Sequence, residues 1–115
     1  MMHEEYVKRE ALLRSLGLCA KAGKLVFGVP MICESLASGR KPYLVLGAAD
    51  NAENSAKRLR DKCTFYNVRL AVCDVNGEAL AHAVGKTGHL AAVAVTDENL
   101  CRLVEKHVVS IPVDI

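Results

Sequence analysis

Tryptophan is missing from this 115-residue sequence, and it has only two Phe and three Tyr. A core without large rings must be assembled from Leu, Val, Ala and Ile. No apolar stretch approaches the roughly 20 residues that a membrane-spanning helix needs, so no membrane contact is expected. The opening residues Met1-Met2-His3-Glu4-Glu5-Tyr6 carry no basic stretch followed by an apolar signal run. The five cysteines, at 19, 33, 63, 73 and 101, form no C-x-x-C pair. An odd number cannot all pair within one chain. Each has apolar neighbours, so they are expected to be free buried thiols of a cytoplasmic protein.

Patterns that carry chemistry are equally scarce. The histidines at 3, 82, 89 and 107 lack zinc-like spacing, so no metal is expected. No Gly-x-Ser-x-Gly elbow occurs. Gly85-Lys86-Thr87 matches only the end of a phosphate-binding P-loop. The residue five positions before Gly85 is Leu80, not glycine, and the triplet follows a helix pattern and precedes a strand pattern, the reverse of the P-loop order. Gly85 therefore reads as a helix stop and Gly88 as a turn into the next strand. Asp50 and Glu53, one turn apart, suit a helix start, where negative charge complements the dipole. A Cys–His pair brought together by folding has no local signal in its favour. With no assembled nucleophile, acid–base pair or metal set, neither an enzyme nor a cofactor is expected.

What is present describes one packed domain over residues 1–115, 51% hydrophobic and 24% charged. The net charge is only +2, but it is uneven. Residues 1–62 hold eleven Lys/Arg against seven Asp/Glu, and residues 63–115 hold four against six. A basic first half suits a positive face.

The patterns alternate between helix and strand. A helix is expected over 4–18, with Tyr6, Leu12, Leu13 and Leu16 on one face and Gly17 and Gly23 punctuating its end. A short strand follows over 24–27. Gly28-Val29-Pro30 opens a helix to about 37, since Pro is tolerated at a first helical position, and Gly39 closes it. The apolar run 43–47 reads as a strand covered on both faces. Asp50 or Asn51 is the expected N-cap of the next helix, which carries Ala52, Ala56, Leu59, Cys63 and Tyr66 as an apolar stripe. A strand over 68–73, a short helix from Asn76 through 84, and a buried strand over 90–95 come next. Thr96 or Asp97 then starts a last helix with Leu100, Leu103, Val104, His107 and Val108 on one side. Residues 111–115 read as an extended tail. The fold class is α/β, layered, with helices on both faces of a sheet.

Two places suit an anionic partner. One is the turn into the helix that opens Gly28-Val29-Pro30-Met31. Its free N–H groups and dipole favour phosphate or a base-edge acceptor, and Lys24 precedes it by four residues. The other is the loop Lys86-Thr87-Gly88-His89-Leu90, a glycine-bearing turn that holds a cation and an apolar side chain.

The succession Leu16-Gly17-Leu18-Cys19-Ala20-Lys21-Ala22-Gly23-Lys24-Leu25-Val26-Phe27-Gly28 resembles a segment of the ribosomal-protein-L-seven-Ae-like superfamily, and its bacterial YlxQ-type branch above all. Asp50-Asn51-Ala52-Glu53-Asn54, then residues 61–68, Ala83-Val84-Gly85-Lys86 and Val93-Ala94-Val95-Thr96-Asp97 continue the likeness in order. Together they cover about residues 10–107. The resemblance implies an α/β/α sandwich around a mixed four-stranded sheet and a non-enzymatic protein that binds kink-turn RNA. It places the grip at the helix start after Gly28 and in the loop from Thr87 to Ala91. Family members that hold kink-turns often show Gly-x-Asn-Glu there, with Lys three residues after the Glu. Here Pro30 and Met31 replace the polar base readers, and Glu34 stands where that Lys would attract phosphate.

The expectation is a monomeric, ribosome- or ribonucleoprotein-associated protein that binds structured RNA. The alternative is a protein-interaction module on the same fold, docking through the Val29-Pro30-Met31 corner.

Overall fold

Leu12, Leu16 and Cys19 fall four and three residues apart, so they line one side of a helix. All three are buried in the first helix, α1 (Met2–Lys21). The computed structural model describes residues 2–108, with side chains from residue 6 onward. The expected tail over 111–115 lies outside the described residues. Tyr6, six positions before Leu12, is off the stripe and exposed rather than part of the apolar face. Gly17 does not punctuate the helix but lies inside it. A Cβ there would stand 3.1 Å from the Ala83 carbonyl, so the glycine lets another helix approach closely. The stop comes at Gly23, whose φ of 70° is costly for other residues.

The remaining elements follow in order. They are β1 (Leu25–Phe27), α2 (Val29–Ala37), β2 (Leu44–Gly47), α3 (Glu53–Tyr66), β3 (Leu70–Val72), α4 (Gly77–Ala83), β4 (Ala92–Val95) and α5 (Glu98–Glu105). Helix α2 closes through Ser38, which bonds back to the Ser35 carbonyl, before Gly39 is reached. Asn76 caps α4 and Asp97 caps α5 by accepting from the third residue onward, as their side chains allow. Neither Asp50 nor Asn51 caps α3. Its N-cap is Ala52, without a side-chain bond, because Asp50 and Asn51 are drawn to distant partners described below.

The sheet runs β1-β4-β2-β3. Strand β4 is antiparallel to both neighbours, while β2 and β3 are parallel, so the sheet is mixed. Every residue of β2 and β4 is buried, as expected of strands covered on both faces. Leu44, Leu46, Val93 and Val95 pack with α1, α4 and α5 residues. Val45, Ala92 and Ala94 pack with Ile32 and Leu36 of α2 and Leu59 and Cys63 of α3. The strand alternation thus divides the core into two layers around one sheet. All five cysteines are free and buried, as their apolar neighbours predict.

This topology sets the place of the loops. Phe27 and Leu46 both pair with Val93, so β1 and β2 finish where β4 begins. Strand β3 runs with β2 and finishes there too. Helices α2, α3 and α4 therefore all start from one end of the sheet, and the loop 84–91 lies at that same end.

Candidate nucleic-acid interface

Gly28 is the corner from which α2 rises. Its φ of 83° is glycine territory, its N–H bonds to the Ala92 carbonyl at 3.0 Å, and its own carbonyl accepts from Ile32. Val29 is buried in the core, so only its backbone can meet a partner. Pro30 and Met31 are exposed on the helix tip. Pro30 has no N–H, which leaves Val29 and Met31 to supply the first-turn donors.

The loop 84–91 stands beside this tip. Gly85 and Gly88 both take positive φ, 79° and 82°, and nothing approaches where a Cβ would be. The Lys86 N–H is pinned to the Ala81 carbonyl. Its ammonium sits 4.5 Å from the centroid of the Phe27 ring, one residue before Gly28. A cation over an aromatic face gains roughly 0.5–1 kcal/mol at exposed sites. That contact joins the two sequence-predicted places. Thr87, Gly88 and His89 are exposed, and Leu90 is half-buried.

A hydrogen-bond lattice fixes the loop from below. Asp50 Oδ1 accepts from the Gly77 N–H at 2.8 Å and lies 3.1 Å from His89 Nε2. Asn51 Nδ2 and the Ala48 N–H both donate to the Ala91 carbonyl. The Leu90 N–H reaches the Gly77 carbonyl, and the Ala49 N–H reaches Val75. The Gly77 N–H, helped by the His89 side chain, holds the Asp50 carboxyl below the usual carboxylate value. Gly77 itself leaves room for the imidazole: a Cβ there would sit 2.2 Å from His89 Cδ2.

Nine of the ten sequence-predicted residues therefore gather at one end: Gly28, Val29, Pro30 and Met31 with Lys86, Thr87, Gly88, His89 and Leu90. Lys24 does not join them. Its carbonyl accepts from Thr96 past the far end of β4, about 13 Å from Gly28 at roughly 3.3 Å per strand residue. Sequence reasoning missed Phe27 as the seat of Lys86, and Asp50, Asn51 and Gly77 as the anchors of the loop. Lys86 lies 59 residues from Phe27, and the other partners lie 27 to 40 residues away, so no local pattern exposes them.

Among the described residues, no group of three His, Cys, Asp or Glu could hold a metal ion, and no helix is long and apolar enough to cross a membrane. No family model matches the sequence. Among curated proteins, RNA-binding protein YlxQ of Bacillus subtilis (strain 168) is 34% identical over 83 residues, covering 72% of this chain and 80% of that one. RNA-binding protein YlxQ of Enterococcus faecium is 32% identical over 60 residues, covering 52% and 57%. A solved protein of unknown function from Bacillus halodurans C superposes with a TM-score of 0.75 at 27% identity, covering 84% of this chain and 94% of its own. The Giardia lamblia 15.5kD RNA binding protein shares the fold, with a TM-score of 0.68 at 20% identity, covering 90% of this chain and 84% of its own. With that identity to the Bacillus subtilis protein running through most of both chains, this chain belongs to the YlxQ family of the ribosomal-protein-L-seven-Ae-like superfamily.

Proposed function

We propose that this protein is a non-enzymatic RNA-binding protein that holds structured, kink-turn-like RNA between the tip of α2 and the loop 84–91, in the cytoplasm and in association with the ribosome or another ribonucleoprotein. The observation that carries this reading is the seating of Lys86 on Phe27. It sets a cation beside the open N–H groups of a helix start, so two anion-attracting features form one surface. The names of the two curated relatives support it. The exposed glycine turn at 85–88 gives room for a backbone or a splayed nucleotide, and side chains read RNA where its bases leave the helix.

The test is a titration of a kink-turn RNA against the protein and two charge reversals. Lys86→Glu should weaken binding by roughly tenfold, the cost of losing one phosphate contact and gaining a repulsion. Lys24→Glu, at the far end of β1, should change it far less. Equal effects of the two reversals, or none from Lys86→Glu, would refute the placement.

A second reading has one specific observation behind it. Met31 is 55% exposed at the helix tip beside Pro30, and Glu34 is exposed one turn on. A protein partner docking on this corner would survive nuclease treatment in a pull-down and be lost on Met31→Asp.

A further inference from the structure

The end of the sheet opposite the loop 84–91 carries a surface that the proposed RNA grip leaves unused. Phe65 is the most exposed large apolar side chain of the described residues, at 78%. Its ring meets that of Tyr66 edge-on, with centroids 4.8 Å apart. Tyr43 is 52% exposed at the same end, its N–H bonded to the Val95 carbonyl. Lys41 binds the segment before β2 to the end of α3. Its ammonium donates to the Tyr66 carbonyl at 3.0 Å and lies 5.7 Å from the Tyr66 ring centroid.

Cations surround these rings. Arg58, Lys62 and Phe65 are spaced four and three apart, so they share one exposed face of α3. Arg40 is exposed beside Lys41. Asp61, the acid on this stretch, is already engaged by Lys57 at 2.7 Å. Among the described residues, the carboxylates that form ion pairs meet Arg9, Lys57, Arg69, His89 and Arg102, not Arg40, Lys41, Arg58 or Lys62. The exposed rings of Phe65 and Tyr43, with cations outside these ion pairs around them, suit stacked bases and their phosphates, while Tyr66 is half-buried against the core and backs Phe65. A protein-docking hot spot would instead be ringed by groups that exclude water.

We propose that the C-terminal end of α3, with Phe65, Tyr66, Tyr43, Lys41 and Lys62, is a second RNA contact: a stacking platform for unpaired nucleotides. Phe65 offers the ring face, Lys41 and Lys62 take the flanking phosphates, and Arg58 leads back along α3 toward the loop 84–91. Helix α3 spans about 21 Å at 1.5 Å per residue, so a strand leaving a structured RNA at one end reaches the platform at the other. The platform goes beyond the grip proposed above and can fail separately from it.

The experiment measures binding of two RNAs by fluorescence anisotropy: a labelled ten-nucleotide oligouridylate and a flush-ended kink-turn RNA. Wild type, Phe65→Ala, Phe65→Tyr, Lys41→Glu and Lys86→Glu are compared. The ring of Phe65 is in solvent, so its loss leaves the fold in place, checked by the melting temperature. The platform predicts that Phe65→Ala and Lys41→Glu each weaken oligouridylate binding by roughly tenfold, that Phe65→Tyr keeps it, and that Lys86→Glu leaves it unchanged. Oligouridylate binding that is absent, or indifferent to Phe65→Ala and Lys41→Glu, overturns the platform even where the kink-turn RNA binds well. Failure of the kink-turn RNA alone overturns the first reading and leaves the platform standing. Concentration-dependent self-association abolished by Phe65→Ala, with oligouridylate binding unchanged, makes the patch a protein interface and also overturns the platform.

Discussion

Asp50 is the residue on which the loop 84–91 depends most directly. One carboxylate oxygen serves both the Gly77 N–H and the imidazole of His89, which ties three separate loops together. Its folded pKa is depressed, so its stabilising contribution is present above the ordinary carboxylate value and is lost as pH falls through the folded one. The expected outcome in acid is a lower hydrogen-exchange protection factor at the Gly77 amide, before global unfolding. Asp50→Ala should show that lower protection already at neutral pH and lose its acid step. Gly77→Ala, which evicts the His89 ring, should weaken structured-RNA binding by about fivefold, equivalent to roughly 1 kcal/mol of hydrogen bonding.

Cys63 behaves in the opposite sense. Burial, with Cys33 nearby, pushes its thiol up from 9.0 to about 11. A raised folded pKa leaves stability intact below the ordinary thiol value and erodes it as pH rises from about 9 toward 11. Denaturant midpoints should therefore fall over that window, and Cys63→Ser should flatten the fall. A thiol reagent at neutral pH should label the native protein slowly and the unfolded protein fully, since all five thiols are buried.

At the scale of elements, the proposed RNA grip rests on the start of α2. Its first turn carries no acidic side chain, lacks one N–H at Pro30 and exposes Met31, and Glu34 is exposed one turn on. Methionine packs against a base face but discriminates poorly, and Glu34 repels phosphate. The triple variant Pro30→Asn, Met31→Glu, Glu34→Lys reproduces the Gly-x-Asn-Glu pattern with its following Lys. All three side chains are exposed, so the core is untouched. Kink-turn affinity should rise by at least about tenfold, the scale of one base contact of roughly 1–3 kcal/mol. An unchanged affinity would show that α2 does not read the RNA.

For the molecule as a whole, the small net charge matters less than where the charges fall. Basic side chains run along the exposed face of α3, and Lys86 marks the neighbouring loop. Under the two proposals above, binding at both ends of α3 makes affinity fall steeply with salt as counterions are released. Lys86→Glu should reduce the slope of log affinity against log salt by about one for a kink-turn RNA. An RNA that carries an unpaired flank should show a steeper slope than its flush-ended form, and Phe65→Ala should leave that difference in place while lowering affinity. Stacking contributes little to salt dependence, so slope and affinity separate the cations from the ring.

The order of helices and strands, the buried thiols, the caps at Asn76 and Asp97 and the glycine turns at Gly28 and Gly88 were all legible in the sequence. Each depends on neighbours within a few residues: periodicity, a short polar side chain, or a glycine that frees φ. Gly17, Asp50 and Asn51 were misassigned for one shared reason. A glycine inside a helix and an acid before one look local, yet their partners are Ala83, Gly77, His89 and Ala91. Only tertiary structure could set Lys86 on Phe27 and Lys24 at the other end of the same strand, because strand pairing across the sheet, not distance along the chain, determines which charges share a surface.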